Sequence, residues 1–423
     1  MLAATLRAVG DLDIAEEATA DAFLLAVQTW PRVGVPASID AWLITAARHR
    51  AVDRIRRARA GRRALLTHAG RWSEMVAGPE QIAEAALIGD DELRLVVLCC
   101  DPQLSTDDQV ALTLRLACGV PTDAVAAGFG VPTPTMAARI TRAKAKLARS
   151  GPRLDLPDDR TVDARLPAVV AVVQLAFTLG HTAASGAALT DDALQDRAQY
   201  LATVLRRLRP ADREVTALLA LILTIRGRAG GRTGDDGSQV LLADADRSRW
   251  DAALLAEGMA LADAALIGGV GGPVAHQAGI AAAHARASSW AATDWDAVIG
   301  HYDALLRLQP SHTVALGRCV AVGERYGPAA GLADLDDVLV LGGLDRYPYA
   351  FAARGHLLDR LGRDSRADWE RAAALARTDA ERAHFAARAT DAGRVAADRA
   401  GRGGPPPTGR GGPPPTGLLG PPP

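Results

Sequence analysis

The side chains in this chain most able to do chemistry are cationic, and the chemistry open to them is holding phosphate rather than making bonds. Arg48, Arg50, Arg54 and Arg57 form a dense run that continues through Arg59, Arg62 and Arg63. Roughly 90 residues later, Arg139, Arg142, Lys146 and Arg149 recur at three- and four-residue steps, with no acid between Arg139 and Arg149. Such faces attract a polyanion through charge and counterion release. The reactive residue types show no comparable order. The four cysteines include the adjacent Cys99 and Cys100, which suits neither a disulfide framework nor a CxxC metal site. The nine histidines are scattered, and the closest pair in sequence, His276 and His284, lacks helical ligand spacing. Asp244, Asp246 and Ser248 have the spacing of a calcium loop, but Arg249 stands at the glycine position and Leu255 at the bidentate one. Gly268 to Gly272 lacks both a preceding strand and a Walker lysine. A protein without enzymatic activity, cofactor or metal is expected.

The elements that must position these residues read almost entirely as helix. Ala and Leu abound and β-branched alternation is nearly absent, so the expected fold class is all-α. A chain of 423 residues has room for two or three domains. Its 49% apolar and 23% charged residues fit a soluble protein with an ample core. The longest apolar run, Leu166 to Leu179, is interrupted by Gln174 and falls short of the ~18–20 residues of a span, so no membrane span is expected. With no secretory signal and no disulfide framework, the reading is cytoplasmic. Only Lys144 and Lys146 among the 48 basic residues are lysine, a codon bias more than a functional signal.

The chain divides into a first helical unit over residues 1–63, a linker over 64–89, a second unit over 90–150 and a long helical region over 151–400. Residues 401–423 repeat GRGGPPPT and end in GLLGPPP, a composition that cannot bury a core and reads as a disordered tail.

The second unit has the order of a helix-turn-helix. Ser105 or Thr106 caps a helix filled by Val110, Leu112, Leu114 and Leu116, and Gly119 is placed to end it. Thr122 to Val131 is a short helix closing in a glycine turn, with Ala126 and Gly130 small enough for a close crossing. Thr133 then caps a helix with Pro134 at its first position. Met136, Ile140, Ala143 and Leu147 make its apolar face, while Arg139, Arg142, Lys146 and Arg149 make another. In this arrangement the second helix enters the major groove.

In the first unit, Asp13, Glu16, Glu17 and Asp21 share a helix whose buried side is read as Ile14, Ala18, Phe23, Val27 and Trp30. After a loop over Pro31 to Ser38, Ile44, Ala47, Ala51 and Ile55 form the core stripe of the arginine helix. Trp42 near its start either contacts an unstacked base or fills the core, and the spacing leaves both open.

The segments "DLDIAEEATADAF", "AWLITAARHRAVDRIRR", "DDELRLVVLCC" and "VPTPTMAARITRAKAKL", in that order, resemble a bacterial RNA polymerase sigma factor of the extracytoplasmic-function group. The first unit resembles sigma region 2 and the second region 4. The segments Leu241 to Leu261 and His301 to Asp336 resemble the subgroup with a long helical, tetratricopeptide-like extension, so the likeness covers nearly everything before Gly401. The resemblance implies two partners, core RNA polymerase (its β′ clamp helices and β subunit) and promoter DNA. It assigns Asp13, Glu17 and Asp21 to polymerase. It assigns Trp42, Arg48, His49, Arg50, Arg54 and Arg57 to the −10 element, with the Pro31 to Ile39 loop holding a flipped base. Thr133, Thr135, Met136, Arg139, Arg142 and Lys146 fall to the −35 element. Three departures stand out. The first helix is shorter than in most members, His49 replaces a commoner asparagine, and Phe177-Thr178-Leu179-Gly180-His181 replaces Phe-Asn-Glu-Gly-Tyr.

In the long region, Tyr302 and Pro310 fit the second helix of a 34-residue helical hairpin, and Leu361-Gly362-Arg363 with Trp369 suggests another. Stacked hairpins offer concave surfaces for a protein partner. The leading reading is a sigma factor that recognises −10 and −35 elements, with the extension controlling it in cis. A helix-turn-helix regulator acting without polymerase, or a helical-repeat scaffold, are the alternatives.

Overall fold

The computed structural model describes residues 1–63, 84–129, 131–149, 159–181, 191–234, 240–376 and 378–402. The linker stretch 64–83, Gly130 and the tail from 403 onward lie outside these residues. Every regular element among the described residues is helical, and none is a β-strand. Contacts divide the chain into Met1–Val173 and Gln174–Pro423.

The first unit opens with α1 (Leu2–Val9), α2 (Leu12–Val33) and α3 (Ile39–Arg63), which pack on one another. Gly10 at φ +69 ends α1, and the Asp11 carboxylate starts α2 by accepting from the Ile14 N–H. Removing a cap of this kind typically costs about 1 kcal/mol. α2 continues through Pro31 to Val33, further than the loop read from the sequence. Next come α4 (Glu84–Cys99), α5 (Thr106–Leu116), α6 (Thr122–Gly128) and α7 (Thr133–Arg149), with α4 against both α1 and α5. Asp91 is buried in α4 and is neutralised by Arg7 at 3.2 Å and Arg94 at 3.3 Å.

α8 (Asp159–His181) straddles the division of the chain. Arg165 in its first half donates to the Asp101 carboxylate at 2.7 Å and the Val97 carbonyl at 3.0 Å, so the first unit ends later than the composition change near residue 150. Among the described residues this is the one helix long and apolar enough to cross a membrane, with a mean hydropathy of 1.6. Its Val169, Val170, Val172, Val173, Ala176 and Phe177 are buried in protein, as core residues are.

The second unit continues through α9 (Asp192–Leu208), α10 (Arg213–Gly227), α11 (Ala252–Ala265), α12 (Pro273–Arg286), α13 (Trp295–Leu308) and α14 (His312–Tyr326). It closes with α15 (Pro328–Val340), α16 (Pro348–Arg360), α17 (Arg366–Leu375) and α18 (Asp379–Arg402). Each helix packs on its neighbours in sequence, the pattern of a stack of helical hairpins. α10 is the most enclosed, buried from Val215 to Ile225 by α9, α11 and α12. Asp191, Asp212, Asp251 and Asp294 cap α9, α10, α11 and α13. Pro310 stands in the turn between α13 and α14, where the Tyr302–Pro310 spacing predicts a hairpin.

One ionic clamp recurs along the stack. Arg318 on α14 reaches back to Asp303 on α13 at 2.6 Å and forward to Asp334 on α15 at 2.8 Å. Arg354 on α16 does the same between Asp336 on α15 and Asp368 on α17, both at 2.9 Å. The carboxylates raise both guanidiniums above their ordinary range. Further along, Trp369 is fully buried beside Phe385 and Ala352, and its Nε1 donates to Asp359 at 3.0 Å.

His284 and His356 are buried in the stack, and burial pushes both down to about 3. His284 Nδ1 and both ring nitrogens of His356 have no protein partner. A base depressed this way supports the fold fully above its unfolded value of 6.5 and loses that support as the pH falls toward 3. At pH 5 the loss is about 2 kcal/mol per histidine. Thermal melts between pH 7 and pH 5 should therefore show a falling midpoint, and His356→Leu should make that fall shallower.

Candidate nucleic-acid and partner interface

The second basic face is built on a packed helix-turn-helix. Ser105 caps α5 by accepting from the Asp108 N–H at 3.2 Å, and Gly119 turns the chain at φ +72. α7 seats Met136, Ile140, Ala143 and Leu147 in the core against α5 and α6. This seating corrects the reading of Met136 as a DNA contact, because the side chain is wholly buried and cannot reach a groove. Thr133, Thr135, Arg142, Lys146 and Arg149 are exposed on α7. Arg139 is partly covered, donating to Asp107 at 3.2 Å with its guanidinium 5.6 Å over the Phe129 ring. Lys146 donates to the Gln103 carbonyl. Arg142, exposed near the middle of the helix, is thus better placed than Arg139 to meet a ligand.

The first basic face carries more internal pairing than its sequence suggests. Ile44, Ala47 and Ala51 bury one side of α3, with Ile55 half-buried, as the stripe predicts. His49 and Arg57 are exposed, and Arg48 and Arg50 half-buried. The side chains beyond Arg57 on α3 lie outside the described residues. Arg54 bonds Asp21 through Nε at 3.3 Å and Nη2 at 2.8 Å, and also pairs with Glu17. These hydrogen bonds raise the Arg54 guanidinium above its ordinary range. The structure therefore joins a residue read as DNA-facing to two read as polymerase-facing, while Asp13 stays exposed. Glu16, whose sequence position suggested only a solvated face, pairs with Lys144 on α7. Trp42 is half-buried and meets Trp30 edge-on at 5.4 Å, a contact that occupies one side of its ring.

The buried face of α2 differs from expectation. Phe23 is 52% exposed and Val27 72%, while Leu12, Ala15, Ala18, Ala22 and Ala26 face inward. Small side chains let α2 and α3 approach closely, and that approach leaves no room for the large ones. Leu24, Val33, Val35 and Ile39 are exposed too, so one end of this unit presents an apolar patch, of which sequence reading assigned Phe23 and Val27 to the core. Exposed patches of this kind mark interaction sites. The missed signal was the alanine spacing itself, which recurs at three and four residues from Ala15 to Ala26.

The residues suited to covalent chemistry are not gathered. Burial raises the Cys99 and Cys100 thiols, the latter to about 12, so neither is a thiolate near neutral pH. His276 meets His301, not the sequence-near His284, with Nδ1 atoms 3.1 Å apart. No group of three or more His, Cys, Asp or Glu is positioned for a metal among the described residues.

Comparison with known proteins adds independent findings. The model of sigma-70 region 2 matches residues 2–61, the span of α1 to α3. That of a family of unknown function (DUF6596) matches residues 165–266. An uncharacterised protein of Rhizobium meliloti is 39% identical over 389 residues, covering 91% of each chain. The extracytoplasmic-function RNA polymerase sigma factor SigC of Mycobacterium tuberculosis is 29% identical over 153 residues, 36% of this chain and 76% of that protein. The probable RNA polymerase sigma-C factor of Mycobacterium bovis matches to the same extent. The crystal structure of yeast Tom70 aligns over 92% of this chain and 82% of its own at 14% identity, with a TM-score of 0.38, below that of a shared fold. Residues 2–61 thus carry a sigma-70 region 2 laid over α1 to α3, the N-terminal part of the chain is related to extracytoplasmic-function sigma factors, and over nearly its whole length the chain belongs to one family with the Rhizobium meliloti protein.

Proposed function

We propose that this protein binds core RNA polymerase in the cytoplasm and directs promoter-specific initiation. The observation that carries the reading is the coincidence of the region 2 match with α1 to α3, whose α2 turns Phe23, Leu24 and Val27 outward beside Asp13 and Glu17. An apolar patch rimmed by acids suits docking on a basic, partly apolar helical partner such as the β′ clamp helices, with a second contact to the β subunit.

In this mechanism no covalent step falls to the protein. α7 anchors duplex DNA at the −35 element through Thr133, Thr135, Arg142 and Lys146, with Arg139 released from Asp107 when DNA arrives. α3 meets the −10 element with Arg48, His49, Arg50 and Arg57, while Arg54 braces the acids of α2. Opening the −10 element costs a few kcal/mol per base, which pocket contacts and stacking offset. The C-terminal extension regulates these steps in cis, and its hairpin stack offers a surface to a further protein partner.

The direct test is multi-round transcription by sigma-free core polymerase on genomic fragments. Discrete new transcripts are expected with the protein and not without it; silence from both the full chain and one ending at Val173 would overturn the proposal in favour of a polymerase-independent regulator. Phe23→Ser should leave thermal stability within about 0.5 kcal/mol, since the side chain is exposed. It should weaken polymerase binding at least tenfold in a pull-down titration. Arg142→Ala should cost about 1–3 kcal/mol and relax specificity at one −35 position if it reads a base. In the same binding assay, a loss spread evenly over all sequences would make Arg142 a phosphate contact.

A further inference from the structure

In the segment joining α10 to α11, three arginines have no carboxylate partner among the described residues. Arg228 ends α10, Arg232 follows the short turn Ala229–Gly231, and Arg247 opens a second short turn. Arg247 Nη1 donates to the carbonyls of His284, at 2.8 Å, and Ala287, and its guanidinium lies 4.5 Å over the Trp250 ring. Its Nη2 is buried with no protein partner. Arg232 Nη1 is 2.9 Å from His181 Nδ1 and donates to the His181 carbonyl at 3.1 Å. The short turns Ala229–Gly231 and Arg247–Arg249 pack on one another, which brings Arg228 and Arg232, flanking the first, toward Arg247 in the second; the Arg228 side chain makes no hydrogen bond or ion pair among the described residues and feels the charges of both.

The neighbouring carboxylates are committed elsewhere. Asp246 holds Ser248, Asp251 caps α11, Asp212 caps α10, Glu214 accepts from the first N–H groups of α12, and Asp244 has Arg388 as its charged neighbour. The surrounding polar atoms are donors or are neutral. Trp250 Nε1 and His284 Nδ1 are buried without a partner, and His284 is itself only 5% exposed. Burial, and then the charges of Arg228 and Arg247, hold His284 neutral, while burial and Arg232 do the same to His181. Guanidiniums do not escape by losing a proton, so three of them held together call for an anion.

We infer that Arg228, Arg232 and Arg247, with Trp250 Nε1 beside them, form a binding site for a small phosphate-class oxyanion. Three guanidinium forks offer more donors than the two oxygens of a single carboxylate accept, and they suit a tetrahedral dianion. All three arginines keep partial exposure, which gives such a ligand a way in. The site lies within the segment that matches the family of unknown function, and none of its residues is among those assigned to polymerase or promoter. The rival occupant is a carboxylate of the chain itself, from Asp235 or Asp236, which stand between Arg232 and Arg247 in sequence.

Thermal shift and titration calorimetry on the full chain test this, with inorganic phosphate and ADP as probes and sodium chloride at matched ionic strength as control. A saturable rise in midpoint with phosphate or ADP, and not with chloride, is expected; the tighter of the two tells whether the phosphate is free or carried on a larger molecule. Arg228→Gln breaks no bond seen in the structure, so it should weaken binding at least tenfold while raising the ligand-free midpoint by relieving like-charge crowding. Arg232→Gln serves as a second variant with the same expected loss of binding. A wild-type response no larger than that to chloride would overturn the site and favour the internal carboxylate. A response that survives both substitutions would overturn it as well.

Discussion

The close approach of α2 to α3 is the constraint on which the N-terminal half depends. Ala15, Ala18, Ala22 and Ala26 on one helix, with Ala47 and Ala51 on the other, bury side chains with almost no volume. The short interaxial distance this permits has two consequences. It brings Arg54 into the reach of Glu17 and Asp21, fixing the acids of α2 against the basic face of α3. It also leaves Phe23, Leu24 and Val27 nowhere to go but outward. An interaction surface and an internal ion network thus follow from one packing choice. Larger core residues would separate the helices and weaken both.

The C-terminal half solves a different problem, namely how to stack many short helices that cannot each enclose a core. Hydrophobic clusters are passed from one hairpin to the next, around Trp290 and Trp295, then Leu335 and Leu357, then Trp369 and Phe385. The Arg318 and Arg354 clamps tie α14 and α16 each to the helix before and the helix after. Such partly exposed pairs add little stability singly, but they set the register of the stack. Gly331 sets the distance at one joint, since a Cβ there would stand 2.6 Å from the Gly323 Cα. In this well-paired setting, Arg228, Arg232 and Arg247 stand out for having no carboxylate partner among the described residues.

Much of the candidate site was legible in the residues. The core stripe of α7 from Met136 to Leu147 is buried as its spacing predicts, and Ser105 caps α5. Where the reading failed, a single side chain was asked to serve two faces, as with Met136, or size was taken as a proxy for burial, as with Phe23 and Val27. Hydrophobicity identifies which residues favour leaving water, whereas geometry decides which of them can.

By itself, the sequence determined the helical class, the caps, the turn glycines and the presence of two basic helices, because these rest on propensities and on contacts within a few residues. Tertiary structure alone decided which charges survive at the surface. Lys144 is paired with Glu16 across 128 residues and Arg54 with Asp21 across 33, so neither is the free cation its local pattern implies. It likewise brought together His276 and His301, and placed Arg228 within reach of the charges of Arg232 and Arg247. Coulomb interactions and steric fit act through space, and separation along the chain carries no record of them.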